Sequence, residues 1–317
     1  MKISFAATRR KAVSAVLSAA ALLAACGGGE PIERFVAKRL IVLGDETSAL
    51  ESDGRKYSVN GFNTADAPDC KVNPLWVQIL SGVYNLSFAE CPNGSGVPVT
   101  ALMFATPGAT VSSISGQIDA VGGFVDKDLV TLLAGANDIL AQYALVAAGT
   151  AESQAAAGLK VAGEALAGQV NRIANSGGKV LISTVPDLGL TPFALSENAT
   201  SSGHAALLTR LTKSFNDNLR NKITNDGRRI GLLLTDELVQ AVVRNPAGAG
   251  LVDVTRAVCD PAFLPPACTT KTLVTPPGAA ASASAGTYLW ANDRLFSSSG
   301  QSLLGSQAVS RASGNPF

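Results

Sequence analysis

The 317-residue sequence contains a single histidine, His204, and no Cys-x-x-Cys pair. Structural and catalytic zinc sites are built mainly from cysteine and histidine, so neither zinc nor another cofactor is expected. Lysine and arginine nearly balance aspartate and glutamate, which leaves a net charge of +1, and aromatic residues make up only 5% of the chain. No basic face or stacking platform is therefore predicted, and nucleic acid is not expected as a partner.

Short apolar segments alternate along the chain with longer segments of helical periodicity. The predicted strands are 39–43, 97–104, 128–134, 179–184 and 230–234. The predicted helices are 74–84, 111–121, 151–174, 205–223, 236–243 and 297–311. Residues 52–67 are predicted to be a loop or a small hairpin insertion, and 246–286 are predicted to be rich in loops. This alternation indicates an α/β fold in which a parallel sheet is covered by helices on both faces. In the helix at 111–121, Gln117 is predicted to point outward.

The N-terminal segment has the pattern of an export signal. Residues 9–11 are basic, and residues 12–25 form an apolar segment that is too short to span a bilayer comfortably. The segment 23–26, Leu-Ala-Ala-Cys, resembles the lipobox of bacterial lipoproteins, in which small residues precede the cysteine that receives the lipid. An ordinary secretory signal with an incidental cysteine is the alternative.

The lipobox resemblance implies a division of the chain and a location. Residues 1–26 would be a signal peptide ending at the lipidated Cys26, 27–34 a tether, and 35–317 a single domain. Gly27 rather than aspartate follows the cysteine, which implies the outer membrane of a Gram-negative cell. The acyl chains would anchor the protein to the membrane without spanning it.

Four cysteines remain when Cys26 is set aside. An even number of cysteines in an exported chain indicates disulfide bonds. Three pairings are open, and we favour Cys70 with Cys91 and Cys259 with Cys268 because both pairs close local loops.

Three segments that follow predicted strands carry the main functional pattern. A Gly-Asp pair stands at 44–45, the sequence Phe-Ala-Thr-Pro-Gly-Ala at 104–109, and Gly-Ala-Asn-Asp at 135–138. In this order they resemble the signature blocks of the SGNH/GDSL ester hydrolases. The resemblance implies a three-layer, flavodoxin-like α/β/α fold with a five-stranded parallel sheet and a site at the carboxyl ends of its strands. It also implies that the Gly108 N–H and the Asn137 amide form an oxyanion hole.

The same resemblance predicts a catalytic triad whose residues are missing here. A nucleophilic serine should follow the Gly-Asp pair, but position 46 holds Glu46. The closing Asp-x-x-His of the family falls, without gaps, on Asn292 and Leu295. A shift of one residue recovers Asp293 but places Phe296 at the histidine position. Neither alignment supplies the base that a hydroxyl nucleophile needs.

Glu46 allows a catalytic and a structural interpretation. As a catalytic nucleophile or base, its anionic carboxylate would oppose the negative charge that develops in ester hydrolysis. As a structural group, it would fill the oxyanion hole and accept hydrogen bonds from the Asn137 side chain and from N–H groups near Gly108. We favour the structural interpretation and predict a hydrogen bond between Glu46 and the Asn137 side chain.

The sequence therefore predicts a membrane-anchored, catalytically inactive relative of these hydrolases that binds an acyl or glycan ligand in the former cleft. One alternative is an active ester hydrolase with an unusual nucleophile, for which Thr47 and Ser48 are poorly placed. Another is a structural envelope lipoprotein that makes no use of the cleft. His204 is predicted to be an exposed residue in the first turn of a helix and not a catalytic base.

Overall fold

Five parallel strands form the central sheet of the computed structural model, which describes residues 35–314. The strands of the chain are β1 Arg39–Gly44, β2 Gly61–Phe62, β3 Pro68–Asp69, β4 Ala101–Met103, β5 Asp128–Leu133, β6 Lys179–Ser183, β7 Ile230–Leu233, β8 Asp253–Ala257 and β9 Tyr288–Trp290. The sheet has the order β4-β1-β5-β6-β7. The predicted signal peptide, tether and lipidated Cys26 lie outside the described residues.

Helices cover the central sheet on both faces. They are α1 Trp76–Val83, α2 Val111–Val121, α3 Ala136–Ala147, α4 Glu152–Asn175, α5 Pro192–Thr200, α6 His204–Lys222, α7 Thr235–Arg244 and α8 Ser298–Ala312, with short 3-10 turns at Leu188–Leu190 and Ala247–Ala249. Helices α1, α7 and α8 pack in one apolar cluster, and α2, α3, α4 and α6 pack in the other. This three-layer α/β/α arrangement with a five-stranded parallel sheet is the one that the family resemblance implies.

Strand β1 is the centre of both clusters because its side chains alternate between the two faces of the sheet. Leu40 and Val42 pack with the first cluster, and Ile41 and Leu43 pack with the second. All four side chains are fully buried. A strand covered on both faces is apolar at every position, which is why this segment lacks polar alternation.

Each predicted strand of the sheet is confirmed, although the segment at 97–104 contributes only the short strand β4. The predicted helices are confirmed with ends that differ by one or two residues. The segment 246–286, predicted to be rich in loops, also contains β8, which was not predicted and which pairs in parallel with β9. Their partner residues, such as Asp253 and Tyr288, lie far apart in sequence, so local patterns do not reveal the pairing. Helices α3 and α5 were also not predicted.

Both predicted disulfides are present. Cys70 bonds to Cys91 and Cys259 bonds to Cys268, with Cα atoms 5.8 Å apart in each pair. Within residues 35–314, none of the helices combines the length and the apolar character needed to cross a bilayer.

Candidate active site

The turn that follows β1 depends on a glycine. Gly44 has a φ of 129°, and a Cβ at this position would lie 2.0 Å from the Leu133 carbonyl oxygen at the end of β5. The Asp45 N–H donates to the same carbonyl at 3.0 Å. The close approach of the two strand ends thus brings residue 46 to the carboxyl edge of the sheet, where ligand sites of parallel sheets lie.

Gln117 of α2 fixes this turn from the side. Its side-chain amide donates to the Gly44 carbonyl at 2.9 Å and its Oε1 accepts the Gly44 N–H at 2.8 Å. The side chain is buried, so the prediction that Gln117 points outward is wrong. Helical periodicity identifies the apolar face of a helix, but it does not identify a polar side chain that pairs with both backbone groups of a neighbouring strand.

Glu46 contacts the two groups that the family resemblance assigns to the oxyanion hole. Its Oε2 accepts the Gly108 N–H at 2.8 Å and the Asn137 side-chain amide at 3.1 Å. The predicted hydrogen bond between Glu46 and Asn137 is therefore confirmed. Only 7% of the Glu46 side chain is exposed. Two donors and a buried carboxylate form a charge-assisted cluster at the edge of the sheet.

Arg294 completes the cluster and was not identified from the sequence. Its Nη2 lies 3.5 Å from Oε1 of Glu46, and its side chain is 35% exposed. It stands in the loop between β9 and α8, inside the segment aligned with Asp-x-x-His. The only sequence signal for its role was that this loop holds a cation and that position 46, where the family has serine, holds an anion.

The residues aligned with the family's catalytic acid and base form turn or packing contacts. Asn292 Oδ1 accepts the backbone N–H groups of Arg294 at 3.0 Å and of Leu295 at 2.7 Å, which closes the turn. Leu295 is buried in the core. In the shifted alignment, Phe296 stacks on Trp290 with ring centroids 5.1 Å apart. Asn292, Leu295 and Phe296 therefore each have a packing or turn-forming contact that accounts for the residue type.

Asp45 is a buried acid directly beside Glu46. One oxygen accepts the Thr47 N–H at 2.9 Å, and the other is buried without a hydrogen-bond partner among the described residues. Burial and the neighbouring Glu46 charge raise the pKa of Asp45 to about 7, against the opposing effects of the Thr47 hydrogen bonds and the Arg294 charge. The site therefore contains a carboxyl group that titrates near neutral pH.

Asp138, the last residue of the Gly-Ala-Asn-Asp segment, supports a helix. Its Oδ2 accepts the N–H of Val111, the first residue of α2, at 3.0 Å. Burial raises its pKa above the usual value for aspartate. A carboxylate at a helix N-terminus satisfies a backbone donor that has no partner within the helix.

His204 begins α6, as predicted, but it is half-buried and not fully exposed. Its Nδ1 is 2.7 Å from the Tyr143 hydroxyl and 3.8 Å from a Glu197 oxygen. Ser48 is buried and accepts a hydrogen bond from the Trp76 indole N–H at 3.1 Å. In the described part of the chain, no hydrogen bond joins His204 to Thr47 or Ser48, so no serine–histidine or threonine–histidine pair forms at this turn.

Within 35–314, no group of three or more histidine, cysteine, aspartate or glutamate side chains is placed to hold a metal ion. The chemistry of the site thus lies in the cluster of Asp45, Glu46, Gly108, Asn137 and Arg294. The five-stranded parallel sheet, with Gly108 and Asn137 at its carboxyl edge, has the arrangement of the SGNH hydrolases.

Residues 41–237 match the family model of the GDSL-like lipases and acylhydrolases. The match covers more than half of the chain, and the protein belongs to this family. No curated protein is significantly similar to the chain in sequence.

Several solved structures resemble the chain in fold. An acetylxylan esterase from Geobacillus stearothermophilus is 11% identical, with a TM-score of 0.46 over 90% of this chain and 99% of that protein. Phospholipase A1 from Streptomyces albidoflavus is 14% identical, with a TM-score of 0.45 over 88% and 100%. A member of the G-D-S-L lipolytic family from Veillonella parvula is 13% identical, with a TM-score of 0.41 over 86% and 96%.

Proposed function

We propose that this protein is a non-hydrolytic member of the GDSL family, carried on a membrane by a lipid on Cys26, that binds an acyl or glycan ligand at the former active site. The membrane would be the outer membrane of a Gram-negative cell, as the lipobox and Gly27 imply. The observation that carries the proposal is the Glu46 carboxylate, which accepts hydrogen bonds from both Gly108 and Asn137.

Occupied donors explain why a substrate would not react. In ester hydrolysis, the oxyanion hole donates to the oxygen on which negative charge develops. Here a fixed carboxylate already accepts from the Gly108 N–H and the Asn137 amide. A substrate carbonyl would have to displace this anion, and any remaining carboxylate charge would repel the developing oxyanion.

The absence of a base at the expected position supports the same conclusion. Leu295 is buried where the family places histidine, and the His204 imidazole bonds to Tyr143 instead. Arg294 stands next to Glu46, but a guanidinium offers only N–H donors and no acceptor for a proton. Because neither Leu295 nor His204 supplies an imidazole at the site, a water molecule next to Glu46 would have no histidine to activate it.

The surroundings of the cluster suit ligands with oxygen atoms and apolar chains. Residues 106–108 are exposed beside Glu46, and the exposed part of Arg294 can donate to a carbonyl or a sugar hydroxyl. A cavity of about 430 Å³ lies between α2 and α4, with Asp138, Val111 and Leu159 in its lining, and it shares no lining residue with the Glu46 cluster. The exposed donors beside Glu46 therefore support the acyl ester or glycan class, and the cavity is a separate apolar surface next to α2.

The decisive experiment measures hydrolysis of p-nitrophenyl acetate and butyrate by the wild-type protein, Glu46→Gln and the control Glu237→Gln. Glu237 is an exposed glutamate of α7, 61% accessible, so its change leaves the cluster intact. We expect no turnover above the buffer rate for any of the three proteins, while an active family esterase in the same assay gives signal. Turnover in the wild type that Glu46→Gln abolishes and Glu237→Gln preserves would overturn the proposal in favour of a carboxylate nucleophile.

Ligand binding is tested separately by saturation-transfer NMR with the same esters and with acetylated oligosaccharides. We expect transfer to at least one of these classes, and we expect Arg294→Met to weaken it while Glu237→Gln does not. No transfer to either class would favour a structural envelope lipoprotein.

A further inference from the structure

We infer that the amino-end edge of the central sheet docks on an anionic lipid bilayer and that the candidate site faces away from that bilayer. The inference rests on the proposed lipid anchor at Cys26. It adds the orientation of the domain on the membrane, and this orientation determines from which side the ligand reaches the site.

The topology places the first described residue and the site at opposite edges of one sheet. All neighbouring strands are parallel, so every carboxyl end lies at one edge, where Glu46 and Asn137 stand. The described chain begins with Phe35, just before β1, at the other edge. Six residues in β1 separate the two edges by about 20 Å. The segment 27–34 reaches at most about 30 Å, so the tether alone does not choose which edge faces the membrane.

An exposed patch of apolar and cationic side chains distinguishes the amino edge. The Lys38 N–H donates to the Lys127 carbonyl at 2.9 Å, which holds the segments before β1 and β5 side by side. Val36 and Val125, two residues before these lysines, are 48% and 60% exposed. Both lysines are exposed as well. Aliphatic side chains next to ammonium groups suit the interface of a bilayer, where chains meet phosphate groups.

The patch continues on both sides along the same edge. Val97 and Val99, which precede β4, are 38% and 50% exposed. On the other side, a cavity of about 600 Å³ is lined by Asp126, Lys127, Gly177, Lys179, Asp226, Arg228 and Arg229. These residues place four cations against two carboxylates, a local excess of positive charge that the nearly neutral composition did not predict. The cations come from separate segments that meet only when the strands align.

Electrostatic attraction supplies the preference for anionic lipid. Each lysine or arginine near an anionic surface strengthens binding about fivefold, and Asp126 and Asp226 offset part of this effect. A cationic patch together with the proposed lipid anchor gives the two signals that stable attachment needs. The occupant we commit to is therefore a bilayer that presents anionic phosphate headgroups.

This orientation has a consequence for the ligand. With the amino edge on the bilayer, Glu46 and Arg294 stand about 20 Å away, in the aqueous compartment. An acyl or glycan ligand would then arrive from solution or from an opposing structure, and not from the bilayer that carries the anchor.

Tryptophan quenching tests the orientation in the full-length, lipidated protein. The native Trp76 and Trp290 are fully buried, so an introduced exposed tryptophan reports its own surroundings. We place one at Val125 (Val125→Trp) and, as the control, one at Leu195 (Leu195→Trp). Leu195 is 38% exposed on α5, the helix whose Phe193 N–H donates to the carbonyl of Asp293 beside the site.

The probe is a vesicle of phosphatidylethanolamine and phosphatidylglycerol with brominated acyl chains. We expect at least about twofold stronger quenching at position 125 than at position 195, since bromine quenches only at short range. Equal quenching, or stronger quenching at 195, would overturn the orientation and leave the anchor and the absence of hydrolysis untouched. Detergent-phase partition of the wild type beside Cys26→Ser tests the anchor itself. If both stay in the aqueous phase, the anchor and this inference are both wrong.

The contribution of the cationic side chains is tested in proteins that also carry Cys26→Ser. These proteins lack the lipid anchor, so their binding to vesicles is reversible. We expect Lys127→Ala and Arg228→Ala each to weaken binding to phosphatidylglycerol vesicles about fivefold. Lys160→Ala, which changes an exposed lysine of α4, should have no effect. Equal loss for all three variants would contradict a localised docking surface.

Discussion

Nη2 of Arg294 lies 3.5 Å from Oε1 of Glu46, so the anion at the nucleophile position forms an ion pair with a cation in the loop aligned with Asp-x-x-His. The anion stands where the family has its nucleophile, and the cation stands in the loop that should supply the histidine. Opposite charges at these positions stabilise each other and keep the carboxylate beside its donors. The residues of the altered site thus depend on one another, and the pKa of Asp45 responds to both charges.

The first prediction concerns the opposite effects of these two charges on Asp45. The Glu46 charge raises the pKa of Asp45 and the Arg294 charge lowers it. Glu46→Gln should therefore lower the pKa of Asp45, and Arg294→Met should raise it. Carbon-13 NMR of the Asp45 carboxyl group during a pH titration measures both shifts. Shifts in the same direction, or a comparable shift in the distant control Glu237→Gln, would contradict this account of the cluster.

The second prediction is a pH dependence of stability caused by Asp45. Its pKa is about 7 in the folded protein, and an exposed aspartate has a pKa near 3.9. The folded state therefore binds the proton more tightly, and this group makes the free energy of unfolding fall as the pH rises from about 4 to about 7. Asp45→Asn removes this contribution. Relative to the wild type, it should gain stability between pH 5 and pH 8, by up to about 1 kcal/mol per pH unit.

Urea denaturation at pH 5 and pH 8 measures the difference. Asp293→Asn, which changes an exposed carboxylate in the Arg294 loop, is the matched control and should parallel the wild type. Parallel curves for Asp45→Asn as well would show that Asp45 is ionised in the folded protein at both pH values.

Much of the fold follows from local sequence patterns. A strand such as β1, buried on both faces, requires an uninterrupted apolar segment, and Gly44 marks its end. The bond between Glu46 and Asn137 was also predictable, because the family resemblance implies that Asn137 belongs to the oxyanion hole beside position 46. The local pattern was sufficient for the strand, and the resemblance was sufficient for the bond.

The features that were missed depend on long-range contacts. Arg294 reaches Glu46 across most of the length of the chain, and its role emerges only when the β9–α8 loop is placed against β1. Gln117 was assigned to the wrong side of α2 because its burial depends on the amide pairing with Gly44 and not on hydrophobicity. Periodicity carries no information about either contact.

The third prediction contrasts two glycines of the site. Gly44 and Gly108 both have positive φ angles, but a Cβ at Gly44 would lie 2.0 Å from the Leu133 carbonyl, whereas a Cβ at Gly108 would meet no atom within 4 Å. Gly108→Ala should cost about 1–2 kcal/mol for the left-handed backbone alone. Gly44→Ala should cost considerably more, or prevent folding, because two strand ends must separate. Urea denaturation of both variants measures the difference, and equal costs would contradict the close approach of β1 and β5.

The fourth prediction concerns what hydrolysis would require. Glu46→Ser removes the anion from the donors of Gly108 and Asn137, but it provides no base, so we expect p-nitrophenyl butyrate turnover to stay at the buffer rate. Combining it with Asn292→Asp and Leu295→His should raise the rate by at least about 100-fold over Glu46→Ser, the lower end of what a positioned general base contributes. The Asn292 turn supports this expectation, because aspartate keeps the oxygen that accepts the N–H groups of residues 294 and 295. Turnover in Glu46→Ser alone would show that another group in the cleft accepts the serine proton, and it would contradict the part of our proposal that attributes the expected lack of hydrolysis to the missing histidine.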